Sequence, residues 1–169
     1  MIYRFRVILD ADDDVFRDIE MLQEGTLEDL HNSIVQSFGF DGTEMASFYL
    51  SDDKWTQGEE IHQFDMSGND STIRLMNETT LDSILSASQT KMIYVYDFLT
   101  MWTFFVELAQ ITEPEEGRDY PNLMYVHGQL PDAAPEKEFV GESDELNGDF
   151  DDDFDTDDYD DLSFDENWN

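Results

Sequence analysis

The chain opens with a regular alternation of apolar and polar side chains over residues 2–9. Such a two-residue period predicts a strand with one buried face. The side chains expected on that face are Tyr3, Phe5, Val7 and Leu9. Residues 10–14 are almost all aspartate, which favours a turn. Residues 15–22 are then expected to return as a second strand, with Val15, Ile19 and Met21 directed inward.

Apolar residues next recur at three- and four-residue intervals, which predicts an amphipathic helix. They are Leu27, Leu30, Ile34, Val35 and Phe38. Thr26 is expected to cap the N-terminus of this helix, and Gly39 is expected to end it in the left-handed conformation. A second, shorter helix is expected to begin after Thr79 or Thr80 and to bury Leu81, Ile84 and Leu85.

The remaining apolar runs predict strands. Residues 46–50 form one, and short β-like stretches follow near residues 61–66 and 72–76. Two further runs alternate over residues 92–98, with Phe98 on the same face as Met92, Tyr94 and Tyr96, and over residues 102–108. They are expected to form an antiparallel hairpin at the centre of the sheet. The element order predicts an α+β fold with a small mixed, mostly antiparallel sheet and two main helices.

Charge divides the chain into two regions. Over all 169 residues, 42 acidic side chains stand against 8 Lys and Arg, a formal charge of −34. Residues 1–135 hold 26 acids and 7 bases, whereas residues 136–169 hold 16 acids and only Lys137. We therefore expect an α+β domain over residues 1–135, followed by an acidic tail over residues 136–169 that is disordered when alone.

Large aromatic side chains recur along the acidic tail at intervals of four or five residues. They are Phe150, Phe154, Tyr159, Phe164 and Trp168. Carboxylates can steer such a segment to a basic protein groove while the rings provide buried anchors. The tail is therefore interpreted as a docking segment for a basic protein partner, such as a nucleic-acid-binding protein. The alternative is a solubilising segment, or one that occupies a basic patch on its own body or on another copy.

Composition excludes several classes of function. A strongly acidic surface repels polyanions, so no direct nucleic-acid binding is expected. The chain has no cysteine, which excludes disulfides, thiolate zinc sites and a cysteine nucleophile. Neither a signal-peptide pattern nor a membrane-spanning apolar run is evident, so a cytoplasmic location without membrane contact is expected. No cofactor is expected, and the oligomeric state is left open.

Several short motifs resemble the plasmid pRiA4b Orf-3-like family. They include the opening Tyr3-x-Phe5-x-Val7-x-Leu9, the segment Val15-Phe16-Arg17, the helix Thr26-Leu27-x-x-Leu30-His31-x-x-Ile34, the hairpin Tyr94-x-Tyr96-Asp97-Phe98…Trp102, and Tyr120-Pro121. The resemblance covers residues 1–135 and implies association with plasmids and transposable elements. Family members usually carry Gly and Asp after the hairpin Phe, where this chain has Leu99 and Thr100. Some members are labelled resolvase-like, but this body lacks the cationic DNA-reading module that a recombinase needs.

The family positions supply a candidate site of polar and aromatic residues: Arg17, His31, Tyr96, Asp97 and Trp102. Asp97 could act as a general acid or base if partly buried, but acceptance of backbone hydrogen bonds at the hairpin turn is favoured. Arg17 could bind an anion, pair with a carboxylate or stack on a ring. His31 is interpreted as a half-buried helix residue.

No metal site is expected. The histidines do not follow a metal-binding spacing, and the Asp-rich stretches lack the Gly and Glu of a calcium loop. The preferred interpretation is a non-enzymatic protein-interaction module. The alternative is an enzyme or small-ligand domain with a pocket near Asp97, Trp102, Arg17 and His31, which requires those four residues to converge.

Overall fold

A computed structural model describes residues 1–65 and 73–135 and shows an α+β fold built on one eight-stranded sheet. The strands are β1 (Ile2–Leu9), β2 (Phe16–Leu22), β3 (Ala46–Leu50), β4 (Glu60–His62), β5 (Arg74–Leu75), β6 (Lys91–Tyr96), β7 (Trp102–Thr112) and β8 (Asn122–His127). Their order across the sheet is β5-β4-β3-β6-β7-β1-β2-β8. All neighbours are antiparallel except the short β4–β5 pair, so the predicted mixed, mostly antiparallel sheet is confirmed.

Strand β1 lies inside the sheet, between β7 and β2. Val7 lies opposite Val106 on one side and Arg17 on the other. The predicted apolar face is buried, since Tyr3, Phe5, Val7 and Leu9 are all at most 5% exposed. We call this the helix face of the sheet, because it shares its core with the first helix.

Helix α1 (Leu27–Phe38) has the predicted ends. The Thr26 hydroxyl accepts a hydrogen bond from the Asp29 N–H, and the Asp29 carboxylate accepts one from the Thr26 N–H. These reciprocal bonds satisfy two N–H groups that a helix start leaves free. Gly39 closes the helix at φ 83°, a conformation that glycine adopts without strain.

Helix α2 (Leu81–Ile84) follows Thr80, as predicted, and is a single turn. It buries Leu81 and the following Leu85, while Ile84 is only half-buried. A 3-10 turn, Met76–Glu78, precedes it and buries Met76. Hydrogen bonds from the Leu27 N–H to the Thr79 carbonyl and from the Leu81 N–H to the Gly25 carbonyl join the starts of the two helices.

Two features differ from the sequence-based expectation. The first strand of the central hairpin ends at Tyr96, so Phe98 lies in the connecting loop and is 42% exposed. The alternating pattern continues past the strand end because nothing in it marks the turn. Strand β8 is absent from the expected elements, and all its residues are exposed or half-exposed, so it shows no alternation of buried and exposed positions.

The face opposite the helix face has a smaller apolar layer. Ile93 and Phe105 lie directly across from each other in β6 and β7, and Ile93 is 7% exposed. The loop after β3 packs the Trp55 ring against Phe105, with ring centroids 4.9 Å apart. The sheet centre is therefore covered on both faces.

Met1–Leu130 forms one compact unit, and the division between the two units of the chain falls at Pro131. The predicted acidic tail and its aromatic residues Phe150, Phe154, Tyr159, Phe164 and Trp168 lie outside the described residues. Across residues 1–65 and 73–135, no helix has both the length and the apolar character needed to cross a bilayer.

Candidate functional site

Aromatic side chains from α1, its following loop and the β6–β7 hairpin pack together beneath the helix. We call this group the aromatic layer: Phe38, Phe40, Tyr94, Tyr96, Trp102 and Phe104. The Phe40 ring lies 4.3 Å from Tyr96 and 5.4 Å from Trp102, and the Phe38 ring lies 4.7 Å from Phe104. Such distances are typical of stacked and edge-on ring contacts. Tyr96 and Trp102 belong to this layer, and Arg17 and His31 contact it through Phe38 and Tyr94.

Arg17 lies on the helix face, under the C-terminal end of α1. Its side chain donates to the carbonyls of Ser37, Phe16 and His127 at 2.8, 2.9 and 3.1 Å. Its guanidinium also lies 4.4 Å from the centre of the Phe38 ring. Burial lowers the pKa of Arg17, and no ion pair within the described part of the chain includes it.

These contacts give Arg17 a structural task. The last carbonyls of a helix carry partial negative charge and lack intrahelical donors. α1 has no basic residue in its last turn, and Arg17 of β2 donates to its Ser37 carbonyl instead. The positive charge of Arg17 therefore stabilises the C-terminal end of α1.

His31 projects from α1 into the sheet and is 3% exposed. Its Nδ1 lies 2.7 Å from the Tyr94 hydroxyl, and its Nε2 lies 3.4 Å from the Gln63 amide nitrogen. The Gln63 side-chain oxygen accepts from the Ala46 N–H, which turns the Gln63 NH2 group toward the ring. His31 therefore accepts at Nε2 and donates from Nδ1 to Tyr94, as a neutral imidazole.

Burial sets the protonation of this pair. It lowers the pKa of His31 and raises the pKa of Tyr94 well above its usual range. Both groups are therefore held neutral at physiological pH. The expectation of a half-buried helix histidine understates its burial.

Tyr96 uses its hydroxyl to hold the loop that follows α1. The hydroxyl accepts from the Gly42 N–H at 3.1 Å and donates to the Asp41 carboxylate at 3.3 Å. Hydrogen bonds from Thr43 lower the pKa of Asp41, and burial raises the pKa of Tyr96. The stacked Phe40 ring belongs to the same loop, so Tyr96 fixes it by both contacts.

Asp97 lies just beyond β6 with φ 66°, in the left-handed region. Its carboxylate accepts from the Leu99 N–H at 3.1 Å and from the Thr100 hydroxyl at 2.8 Å. Its backbone carbonyl accepts from the Met101 N–H and closes the turn. Asp97 thus organises the hairpin turn, and Trp102 begins the next strand opposite Tyr96.

The aromatic layer contacts or includes four of the five candidates, and Asp97 directly follows Tyr96 in the chain, but the polar atoms of Arg17, His31, Tyr96 and Asp97 bond separate partners. Arg17 contacts the layer through Phe38, His31 through Tyr94, and Trp102 through Phe40. No hydrogen bond or ion pair among the described residues joins Arg17, His31 and Asp97 to each other. The arrangement supports packing and loop positioning rather than a shared reaction centre.

The sequence pattern does not predict that the carboxylate of Glu20 is buried. Glu20 of β2 is 1% exposed and accepts hydrogen bonds from Arg4, Arg118 and Asn122. Burial alone would raise its pKa, but these three donors outweigh it and the pKa is lowered. The Arg4–Glu20 contact follows from pairing β1 with β2, whereas Arg118 and Asn122 reach Glu20 only because β8 continues the sheet.

A groove also escapes the sequence-based reasoning. It has a volume of about 340 Å³ and runs between α1 and the last strand of the sheet. Its lining residues are Ile19, Ser33, Gln36, Ser37, Pro121 and Leu123. None of the five candidates lies in it. Across the described ranges, no cluster of His, Asp and Glu side chains is arranged to hold a metal ion.

Comparison with known families decides the relationship that the motifs indicate. The family model of the plasmid pRiA4b ORF-3-like protein matches residues 1–159. The chain belongs to this family. The match extends past Pro135, where the resemblance of short motifs ends, and so includes part of the acidic segment.

Other comparisons add the fold but no activity. A crystal structure of a protein of unknown function from Methanosarcina mazei Go1 is similar, with a TM-score of 0.68 and 18% identity. The similarity covers 88% of this chain and 82% of that one. No curated protein matches the sequence. In this pRiA4b ORF-3-like chain, the Tyr120-Pro121 motif precedes β8 through a cis peptide bond, and the Tyr120 hydroxyl accepts from the Glu115 N–H.

Proposed function

We propose that this protein is a non-enzymatic interaction module that binds a basic protein partner. The observation that supports it most is the use of its few cations. Every arginine of the described residues, together with Lys91, is engaged within the fold: Arg4, Arg6, Arg17, Arg74 and Arg118. The remaining surface is dominated by carboxylates, which attract a cationic partner and repel a polyanion.

The chemistry of the candidate residues supports a binding role over a catalytic one. A general acid or base has to offer a proton or a lone pair to a substrate. The polar groups of Arg17 and Asp97 are instead used to hold a helix end and a turn, and His31 is bonded to Tyr94 and Gln63. No observation favours the enzyme alternative.

The acidic segment is part of the proposal. Its five aromatic residues Phe150, Phe154, Tyr159, Phe164 and Trp168 would act as buried anchors in a cationic groove, while the surrounding aspartates increase the rate of encounter. A cytoplasmic location belongs to the same proposal, because a chain without cysteine does not depend on an oxidising compartment.

The proposal is tested by affinity capture from lysate with three baits, identified by mass spectrometry. They are the full chain, a variant with the five tail aromatics changed to Ala, and a variant with five tail aspartates changed to Asn. We expect basic proteins on the full chain, fewer on both variants, and release at high salt. Because the Asn variant keeps the aromatic residues and loses five charges, comparing it with the Ala variant shows how much of the binding depends on charge and how much on the aromatic rings.

Identical protein sets on all three baits would contradict a docking tail. An excess of acidic or neutral proteins on the full chain would contradict the basic-partner proposal altogether. Polylysine beads serve as a reference for adhesion by charge alone, because they should retain the full chain and the Ala variant equally.

A further inference from the structure

The outer edge of β8 combines three properties that rarely occur together. It is the last strand of the sheet among residues 1–65 and 73–135, it has no Asp, Glu, Lys or Arg, and all its side chains after Asn122 are exposed. Leu123, Met124, Tyr125 and Val126 are 46%, 42%, 53% and 51% exposed. Edge strands with exposed apolar side chains are templates for another strand, and proteins normally protect them with charges or short length.

The helix face of β8 offers space for an incoming side chain. Leu123 lies opposite the buried Ile19 of β2, and both line the groove beside α1. The other groove-lining residues of α1 are Ser33, Gln36 and Ser37, which are small or polar and leave the groove open. An apolar side chain from an added strand would fill this space and bury Leu123.

The opposite face of β8 is already organised. The Phe16 ring stacks on His127 at 5.0 Å and on Tyr125 at 5.8 Å, and the Arg6 guanidinium lies 4.2 Å from the centre of the Phe16 ring. This stack holds the strand in place before any partner arrives. A rigid edge loses less conformational entropy on binding than a flexible one.

Acidic loops lie at both ends of this edge. The loop that precedes β8 carries Glu113, Glu116 and Asp119, all exposed. Gly128, just after β8, lies against the Asp14 carbonyl, which places the turn of Asp12, Asp13 and Asp14 at the other end. The six residues of β8 span about 20 Å. A complementary segment would carry cations at both ends of an apolar stretch of that length.

We propose that β8 binds an extended basic segment of a partner protein as a ninth strand of the sheet. Main-chain hydrogen bonds to the outer edge, which no described strand pairs with, supply affinity; alternate apolar side chains enter the groove beside Leu123, and flanking Lys or Arg residues meet the two acidic loops. A second copy of this chain is disfavoured as occupant because each copy carries −34. Residues 136–169 are disfavoured because they hold 16 acids against Lys137.

This inference rests on the proposed function, because it gives the basic partner a second contact site, on the folded domain, beside the one proposed for the acidic segment. The probe is a fluorescent ten-residue peptide with six alternating Val and Thr residues between two Lys at each end. One control peptide replaces Lys by Glu. A second keeps the composition but carries N-methyl groups on alternate residues, which removes the main-chain donors of one edge.

We expect the full chain to bind the Lys peptide and to bind both control peptides at least about tenfold more weakly. Glu116→Gln/Asp119→Asn should weaken binding about three- to tenfold, with a smaller effect at high salt. The matched control Glu44→Gln/Glu78→Gln removes the same charge beside β3 and β5, and should change affinity less than about twofold. Amide hydrogen exchange should slow on β8.

Equal binding of the N-methylated peptide, slowed exchange on another strand, or no binding would overturn the β8 site. Light scattering that shows two copies of the chain paired through β8 would also overturn the proposal, because a second copy would then occupy the edge. Capture of basic proteins that persists under saturating peptide would leave the basic-partner proposal standing while the β8 site fails. The wild-type exchange measurement does not depend on the folding of any variant.

Discussion

Arg17 carries a charge into the interior without a carboxylate beside it. Its three carbonyl acceptors and the Phe38 ring replace the water that the guanidinium would otherwise bind. A buried cation requires such compensation, because unpaired burial of charge is costly. The same contacts join β2, β8 and α1 through one side chain.

Replacing Arg17 by Met should lower the free energy of unfolding by about 2–4 kcal/mol, because carbonyls are left without donors. Urea denaturation followed by circular dichroism measures the change. Arg6→Met is the control, since Arg6 bonds Asp18 at the surface and such pairs contribute about 1 kcal/mol or less. Equal effects of the two substitutions would contradict the assigned role of Arg17.

His31 should make stability depend on pH. Its pKa in the folded state lies below the ordinary 6.5. The unfolded chain therefore takes up a proton at a pH where the folded chain does not, and stability falls as pH drops through 6.5, by at most about 1.4 kcal/mol per pH unit. The loss levels off below the folded-state pKa.

Denaturation midpoints of wild type and His31→Gln at about pH 7.5 and about pH 5.5 measure this contribution. The wild type should lose more stability between the two conditions than the variant. His127→Gln, which removes an exposed histidine of β8, controls for the substitution as such. A pH dependence that is the same in wild type and His31→Gln would show that His31 is not responsible.

For single residues, the sequence predicts burial better than it predicts the hydrogen-bond partners of the buried polar groups. The alternation around Tyr3 and Phe5 reports burial directly, because a strand places every second side chain on one face. The partners of Arg17 are backbone carbonyls from three elements, and because every residue has a carbonyl, the sequence does not show which ones Arg17 will bond. The hydrogen bonds of His31 likewise depend on Gln63, which is 32 residues away in the chain.

Among the elements, the turn of the β6–β7 hairpin explains why Asp97 is a structural residue and not a general acid or base. Asp97 and Met101 both adopt positive φ, and the Asp97 carboxylate accepts from the Leu99 N–H and the Thr100 hydroxyl. Asp and Asn tolerate this left-handed conformation better than most residues. The candidate acid is therefore a turn residue.

Asp97→Asn should leave stability within about 0.5 kcal/mol of wild type, because Asn retains an acceptor and tolerates the same φ. Asp97→Ala should cost about 1–2 kcal/mol, because both side-chain hydrogen bonds are lost and Ala is strained at positive φ. Thermal and urea unfolding of both variants provide the measurement. Equal destabilisation by Asn and Ala would instead point to a requirement for the charge.

Element by element, predictability follows the strength of the local signal. α1 is predicted at both ends because Thr26, Asp29 and Gly39 act within a few residues of the helix. β8 escapes because neither of its faces is fully buried, so its apolar residues do not alternate with polar ones. β8 is fixed by its pairing with β2 and by the stacking of Phe16 on Tyr125, and neither contact requires alternate residues to be apolar.

At the scale of the molecule, the described core belongs to the first unit of the chain. All members of the main hydrophobic cluster lie between Tyr3 and Leu130. Residues 136–169 carry 16 acidic side chains against Lys137 alone, and such a charge opposes the formation of a compact core. The candidate site illustrates the limit of sequence reasoning here, because only the assembled sheet brings Phe16, His127 and Arg17 into contact.

Deleting residues 136–169 should change the melting temperature by no more than about 2–3 °C, because no described core residue is removed. A second truncation after residue 159 removes only what lies beyond the family match. Differential scanning calorimetry of both forms and the full chain measures the effect. A fall of about 10 °C on the longer deletion alone would show that residues 136–159 contribute to the folded core.

The position of β1 has a consequence for biosynthesis. Its two neighbours are β2, which follows at once, and β7, whose residue Thr112 lies opposite Ile2. As the chain leaves the ribosome, the β1–β2 hairpin can form early, but the middle of the sheet cannot close until β7 has been synthesised, as far as Thr112. During that interval, one side of β1 remains exposed to solvent and to chaperones, and pairing it with β7 requires a loop closure between residues far apart in the chain, which slows folding.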